Sequence, residues 1–134
     1  MKKRFPRDLD SLARITSFVA IFLRENQLRP ELSFDVNLIL EELFTNFVKY
    51  NPEGQQDIEV GLERNGEELE IRLMDVGVNE FDPTQAPEVD VSKKPEERTP
   101  GGLGIHLVRK LADEINYEYR DGTSIITVTK RLED

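Results

Sequence analysis

The chain has 134 residues, 37% hydrophobic and 34% charged, with a formal net charge of −9. That length suits one domain, 1–134, with a single core. The acidic balance argues against a nucleic-acid binder that grips phosphates and fits a partner with a basic surface. The absence of cysteine rules out a cysteine metal site and a single histidine argues against a histidine-based zinc site, and no apolar run follows "MKKRF" or nears the roughly 18 residues of a membrane span, so a soluble, cytoplasmic domain without a membrane role is expected.

Residues 8–26 place Leu9, Leu12, Ile15, Phe18, Val19, Phe22 and Leu23 at helical spacing, with Asp8 or Asp10 available as a cap. "NQLRPEL" breaks the pattern, and Ser33 is a candidate N-cap for a second helix running to about Tyr50. Its apolar stripe is Val36, Leu40, Leu43 and Phe47, and "NPEG" stops it. Two strands follow, in which Ile58, Val60 and Leu62, then Leu69, Ile71 and Leu73, alternate with polar neighbours. Asn65-Gly66 between them reads as a type I′ hairpin turn.

From Val76 to Gly102 the periodicity disappears, and the segment carries Pro83, Pro87, Pro95, Pro100 and the run "KKPEER". A loop of that length is usually functional or disordered. Helical spacing returns over 103–114 with Ile105, Leu107, Val108 and Leu111, and a last hairpin turns at Asp121-Gly122. There is no internal repeat. The order predicts an α+β two-layer sandwich: a mostly antiparallel sheet with the helices on one face.

Three polar features stand out against this frame. In "LILEELFTNFVKYN", Glu42, Asn46 and Lys49 share one edge of the second helix, beside its core stripe, while Glu41 points elsewhere. They form either a solvated edge of paired polar groups or the wall of a cleft. In a cleft, carboxylate and amide oxygens suit Mg²⁺ on a phosphate, and a glutamate can take a proton from a hydroxyl. In "ELEIRLMD", period 2 puts Asp75 on the apolar face of Leu69, Ile71 and Leu73. A carboxylate there needs a partner, a backbone amide or a ligand. Gly77 close by is either a turn former or a place where a ligand approaches the backbone. Finally, Gly101, Gly102 and Gly104 open a helix; such amides bind phosphate, or they simply end a glycine-rich loop. No Walker A sequence is present, and the Rossmann fingerprint lacks its preceding strand.

Taken together, Glu-x-x-x-Asn on a helix, Asp-x-Gly after a strand, a long loop and Gly-x-Gly opening a helix resemble the GHKL ATP-binding superfamily. The tail "GGLGIHLVRKLADEINYEYRDGTSIITVTKRL", together with "EELFTNFVKY" and "FDP" at 81–83, is most similar to the anti-sigma-factor serine/threonine kinases, over about residues 8–132. The resemblance implies the histidine-kinase-like (Bergerat) fold, with an ATP lid within about 76–102. It implies ATP and Mg²⁺ as cofactors. Asn46 would hold the metal, Glu42 would be the catalytic base, and Asp75 would accept from the adenine amino group. Gly77 would let the base pack closely. Thr99, Gly102, Leu103, Gly104 and Ile105 would close over the phosphates, Lys49 would add positive charge, and Thr127 would touch the purine through water.

The strand parity of Thr127 is ambiguous, because both Ile125 and Ile126 are apolar. Arg98 reads as a solvated loop residue, with a lid cation as the rarer alternative. The partners implied are a sigma factor and a small antagonist protein that receives the phosphoryl group, and the family allows homodimers. The alternative is a nucleotide-binding module that sequesters its partner without kinase activity. The chain departs from the family at Tyr50, where a histidine is frequent, in "VGVNEF" after Asp75, and in a first strand reduced to "KKRFP". His106 reads as a packing or surface residue.

Overall fold

The computed structural model describes residues 1–50, 54–78 and 102–132. Strand β1 (Lys2–Phe5) turns through a corner into helix α1 (Ser11–Glu25), followed by helix α2 (Leu32–Tyr50) and strands β2 (Ile58–Asn65) and β3 (Glu68–Val76). Helix α3 (Gly102–Leu111) and strands β4 (Glu114–Arg120) and β5 (Thr123–Arg131) complete the described chain. The strands form one sheet in the order β1-β2-β3-β5-β4, and every neighbouring pair is antiparallel. The expected α+β architecture is therefore the observed one, and the short "KKRF" segment is a true edge strand paired with β2.

Alternation in the strands explains the two layers. Ile58, Val60, Leu62, Leu69, Ile71, Leu73, Ile126 and Val128 are buried, while their alternating neighbours are partly or fully exposed. The helices supply the other half of the core through Ile15, Phe18, Val19, Phe22 and Leu23 on α1 and Val108 on α3. Helix α2 contributes Ile39 and Phe44 as well as the stripe Val36, Leu40, Leu43 and Phe47. It packs against α1, α3 and β3 at once, so it buries a wider arc than a helix lying on a sheet alone. Each such side chain contributes about 1.5–3 kcal/mol by leaving water. This central helix is thus held on three sides, and a polar group on its edge sits on a rigid base.

Element ends differ from the expectations in instructive ways. Leu9 precedes α1 and is 56% exposed. The helix starts instead at Ser11, whose buried hydroxyl donates to the Pro6 carbonyl at 2.7 Å. Asp10 holds the N-cap position but makes no side-chain cap bond. Ser33 lies inside α2 rather than capping it, because a turn donating Leu32 N to Arg29 O and Ser33 N to Pro30 O already starts the helix. Helix α3 stops at Leu111, where Lys130 Nζ donates to the terminal carbonyl at 3.0 Å and pairs with Asp35 of α2 at 3.2 Å.

The first hairpin pairs Asn65 with Glu68, so its loop is Gly66-Glu67, with only Gly66 at positive φ, +62°. That is the type II′ pattern rather than type I′. The last hairpin has both Asp121 and Gly122 at positive φ, the type I′ pattern. Among the described residues no helix is long and apolar enough to cross a membrane.

Candidate functional site

The edge of α2 carries the polar row that its spacing predicts. Asn46 is 1% exposed, Glu42 is half-buried, and Lys49 and Glu41 are exposed. Glu42 Oε1 and Asn46 Oδ1 are both buried, and among the described residues neither has a hydrogen-bond partner. Buried oxygens in that state are uncommon, and they cost stability unless something else satisfies them. Burial pushes the Glu42 carboxyl above its ordinary pKa. The Lys49 charge and the neighbouring Asn46 amide oppose the shift, and Glu41 adds to it. A carboxylate with a raised pKa beside a buried amide is a suitable proton acceptor. Two unpartnered hard oxygens one turn apart also fit a Mg²⁺ ion that takes its other ligands from phosphate and water. No cluster of three or more His, Cys, Asp or Glu occurs among the described residues, so an ion there would rest on this pair and its ligand rather than on a protein cage.

Asp75 ends the inner face of β3 and is fully buried, as period 2 requires. Its partner is neither a backbone amide nor a turn of its own. Arg7, from the corner between β1 and α1, reaches both carboxylate oxygens, Nη1 to Oδ1 and Nη2 to Oδ2, the second at 3.1 Å. The same guanidinium donates to the Phe47 carbonyl at 3.1 Å and the Gln56 carbonyl at 3.4 Å. Burial still raises the Asp75 pKa, against the hydrogen bond and charge of Arg7. Sequence reasoning missed Arg7. The available signal was generic, that a buried carboxylate requires a cation, and nothing local singled out which of the 18 lysines and arginines supplies it.

Gly77 has φ +72°, and a Cβ there would meet no atom of the described residues within 4 Å. Its amide and that of Val78 both donate to the Gly122 carbonyl. The glycine is therefore required by its left-handed backbone, and no described residue crowds the space beside it. Thr127 falls on the outer face of β5, opposite Arg72 and Asn116, away from the face of Asp75. Ser124 is the β5 residue on the inner face at that end. It pairs with Asp75 in register, is fully buried, and lies 3.2 Å from the Tyr117 hydroxyl.

Helix α3 begins at Gly102, so Gly102, Leu103, Gly104 and Ile105 form its first turn. Thr99, Arg98 and "FDP" at 81–83 lie outside the described residues, as do the side chains of Tyr50, Leu103 and Ile105. His106 is on the surface of α3.

Residues 5–130 match the family described as Histidine kinase-like ATPase domain. Serine-protein kinase RsbW of Listeria monocytogenes serovar 1/2a is 30% identical over 105 residues, covering 75% of this chain and 66% of that protein. Serine/threonine-protein kinase BtrW of Bordetella bronchiseptica is 29% identical over 100 residues, covering 73% of this chain and 70% of that protein. Among solved structures, Acinetobacter baumannii histidine kinase AdeS matches with a TM-score of 0.59 at 15% identity, over 100% of this chain and 68% of that one. A chain of the SiaB-SiaC complex from Pseudomonas aeruginosa matches with a TM-score of 0.58 at 16% identity, over 97% of this chain and 88% of that one. At such identities the structural matches speak for the fold alone.

Proposed function

The chain belongs to the histidine kinase-like ATPase domain family, and on that premise we propose that it is an ATP-dependent serine/threonine protein kinase of the anti-sigma-factor type. The observation that carries the reading is the Glu42–Asn46 pair: a half-buried carboxylate of raised pKa one turn from a buried amide, each with an oxygen that no described residue partners. The names of the Listeria and Bordetella relatives, both serine or serine/threonine protein kinases, support it.

In this reading Glu42 accepts the proton of a serine or threonine hydroxyl as that oxygen bonds to the γ-phosphorus of ATP. The bond from that phosphorus to the bridging oxygen breaks, and ADP leaves. Such transfer depends mainly on positioning and charge stabilisation. Asn46 Oδ1 would hold Mg²⁺, which supplies charge neutralisation at the phosphates. Asp75 accepts from the adenine amino group at the buried end of the cleft, with Ser124 beside it in the place first given to Thr127. Gly77 leaves open space for the base. The first turn of α3, with Gly102 and Gly104, presents amides to phosphate, and the lid, with Thr99, lies within about 76–102. Lys49 adds positive charge at the rim. The phosphoryl acceptor is a small antagonist protein and the second partner a sigma factor, in a cytoplasmic partner-switching system. Homodimerisation is compatible with it.

Calorimetric titration with MgATP on wild type and Glu42→Gln, together with a phosphotransfer assay on the antagonist, tests the reading. The kinase keeps its ATP affinity within about twofold and loses transfer when Glu42 becomes Gln, a uniform-binding versus transition-state split. A sequestering module would bind ATP and its partner equally well in both forms and transfer nothing in either. No saturable ATP binding by wild type would remove the reading altogether.

A further inference from the structure

Asp75 is fully buried, and Arg7 contacts both of its oxygens. A base can reach that carboxylate only if a covering group moves or shares it. A bidentate guanidinium on a carboxylate is charge-assisted and geometrically matched, whereas an adenine amino group offers one neutral N–H. The two donors therefore contend for the same acceptor, and the guanidinium is the stronger.

We propose that Arg7 competes with the purine base for Asp75 and thereby sets the nucleotide affinity of this chain. The inference rests on reading Asp75 as the base-recognising carboxylate. Three features fit a side chain that can let go without unfolding its surroundings. The corner that carries Arg7 is fixed by its own bonds: Asp8 N to Pro6 O, Ser11 N to Asp8 O and Ser11 Oγ to Pro6 O. The guanidinium lies where a side chain at position 54 would stand, since a Cβ on Gly54 would come within 2.5 Å of Arg7 Cζ. The carbonyls of Phe47 and Gln56 also accept from it, so Asp75 is not its sole tie. The corner is thus held independently of the guanidinium, and uncovering Asp75 calls for rotation of the Arg7 side chain.

MgATP and MgADP titrations of wild type, Arg7→Lys and Arg7→Gln test the inference, with folding of each variant checked by circular dichroism. Lysine keeps the charge but loses the planar fork, and glutamine loses the charge. Affinity rises in the order wild type, Arg7→Lys, Arg7→Gln. If the released state is about a tenth of the wild-type population, the full gain is about tenfold. The wild type gives a second readout that needs no variant to fold. The Nε–Hε resonance of Arg7, identified by its loss in Arg7→Lys, shifts on saturation with MgADP and exchanges faster with solvent. Affinities that fall or stay level in both variants, or an Arg7 resonance unmoved at saturation, overturn the inference while Asp75-dependent binding by wild type leaves the functional reading intact. Absence of nucleotide binding in wild type and both variants removes both.

Discussion

Ser124 of β5 stands directly across the ladder from Asp75 of β3, and both side chains are fully buried. Thr127, three residues on, faces the other side of the sheet. In the proposed reading the base therefore meets Ser124 rather than Thr127. Ser124→Ala is expected to weaken MgATP binding by about 3- to 10-fold, the range of one lost hydrogen bond, while Thr127→Ala leaves it within about twofold. Calorimetric titration of the two variants separates them. A larger loss from Thr127→Ala would mean that the base does not enter from the inner face.

The difference between these residues marks where the sequence stops being readable. Strand β3 alternates strictly, so the side on which Asp75 falls follows from Leu69, Ile71 and Leu73 alone. Strand β5 has Ile125 and Ile126 adjacent, and which of them is buried is settled by its register with β3, a contact between segments some fifty residues apart in the chain (Leu73 opposite Ile126). The α2 edge was legible because Glu42, Asn46 and Lys49 repeat at helical spacing on a helix with a clear stripe. Arg7 was not, because its tie to Asp75 spans 68 positions and no local pattern distinguishes it from a solvated arginine. The start of α2 was misread for a local reason instead. Ser33 has the composition of a cap, but Leu32 N and Ser33 N donate to the Arg29 and Pro30 carbonyls and begin α2 before it.

Glu42 should make the folded protein less stable near neutral pH than an uncharged isostere would. Its pKa is raised above 4.5 chiefly by burial. A carboxyl whose folded pKa exceeds its unfolded one contributes stability below the unfolded value, and that contribution is lost as pH rises through the folded value. Glu42→Gln removes this dependence. The variant is expected to melt at a higher temperature than wild type at pH 7, with the gap closing as the pH falls toward 4.5. Thermal melts across that range check it. A gap that does not vary with pH, or a wild type more stable at pH 7, would contradict the burial assigned to this group. Lost phosphotransfer with gained stability in the same variant is the signature of a residue kept for function.

Gly77 separates backbone strain from crowding. Among the described residues a Cβ would meet nothing within 4 Å, yet φ is +72°, so the expected loss on substitution comes from the backbone. Gly77→Ala is expected to cost about 1–2 kcal/mol in urea denaturation, and Gly77→Asn less, since asparagine tolerates this region. Gly61→Ala makes a control. Its Cβ would sit 3.6 Å from Lys2 Cγ in ordinary contact and its φ is not positive, so its stability should stay within about 0.5 kcal/mol of wild type or rise slightly. If Gly77→Ala were as stable as wild type but bound ATP poorly, the glycine would be there for the ligand rather than for the turn.

Lys130 ties the end of β5 to helices α2 and α3. Its amine closes the last turn of α3 through the Leu111 carbonyl and pairs with Asp35 near the start of α2. A cation at a helix C-terminus complements both the dipole and the unpaired carbonyl. The opposite end of the same helix is the Gly102–Gly104 turn proposed to hold phosphate, so loosening the C-terminal anchor should be felt there. Lys130→Met, which keeps the apolar stem, is expected to cost about 1–2 kcal/mol, because it leaves a carbonyl unpaired as well as breaking the ion pair. Asp35→Asn should cost at most about 1 kcal/mol, as a partly exposed pair would. Hydrogen exchange locates the effect: amides of α3 exchange faster in Lys130→Met, those of α1 do not, and MgADP restores α3 only partly. Equal acceleration of α1 and α3 would instead mean that Lys130 stabilises the whole fold and has no particular hold on the helix that opens at the glycine turn.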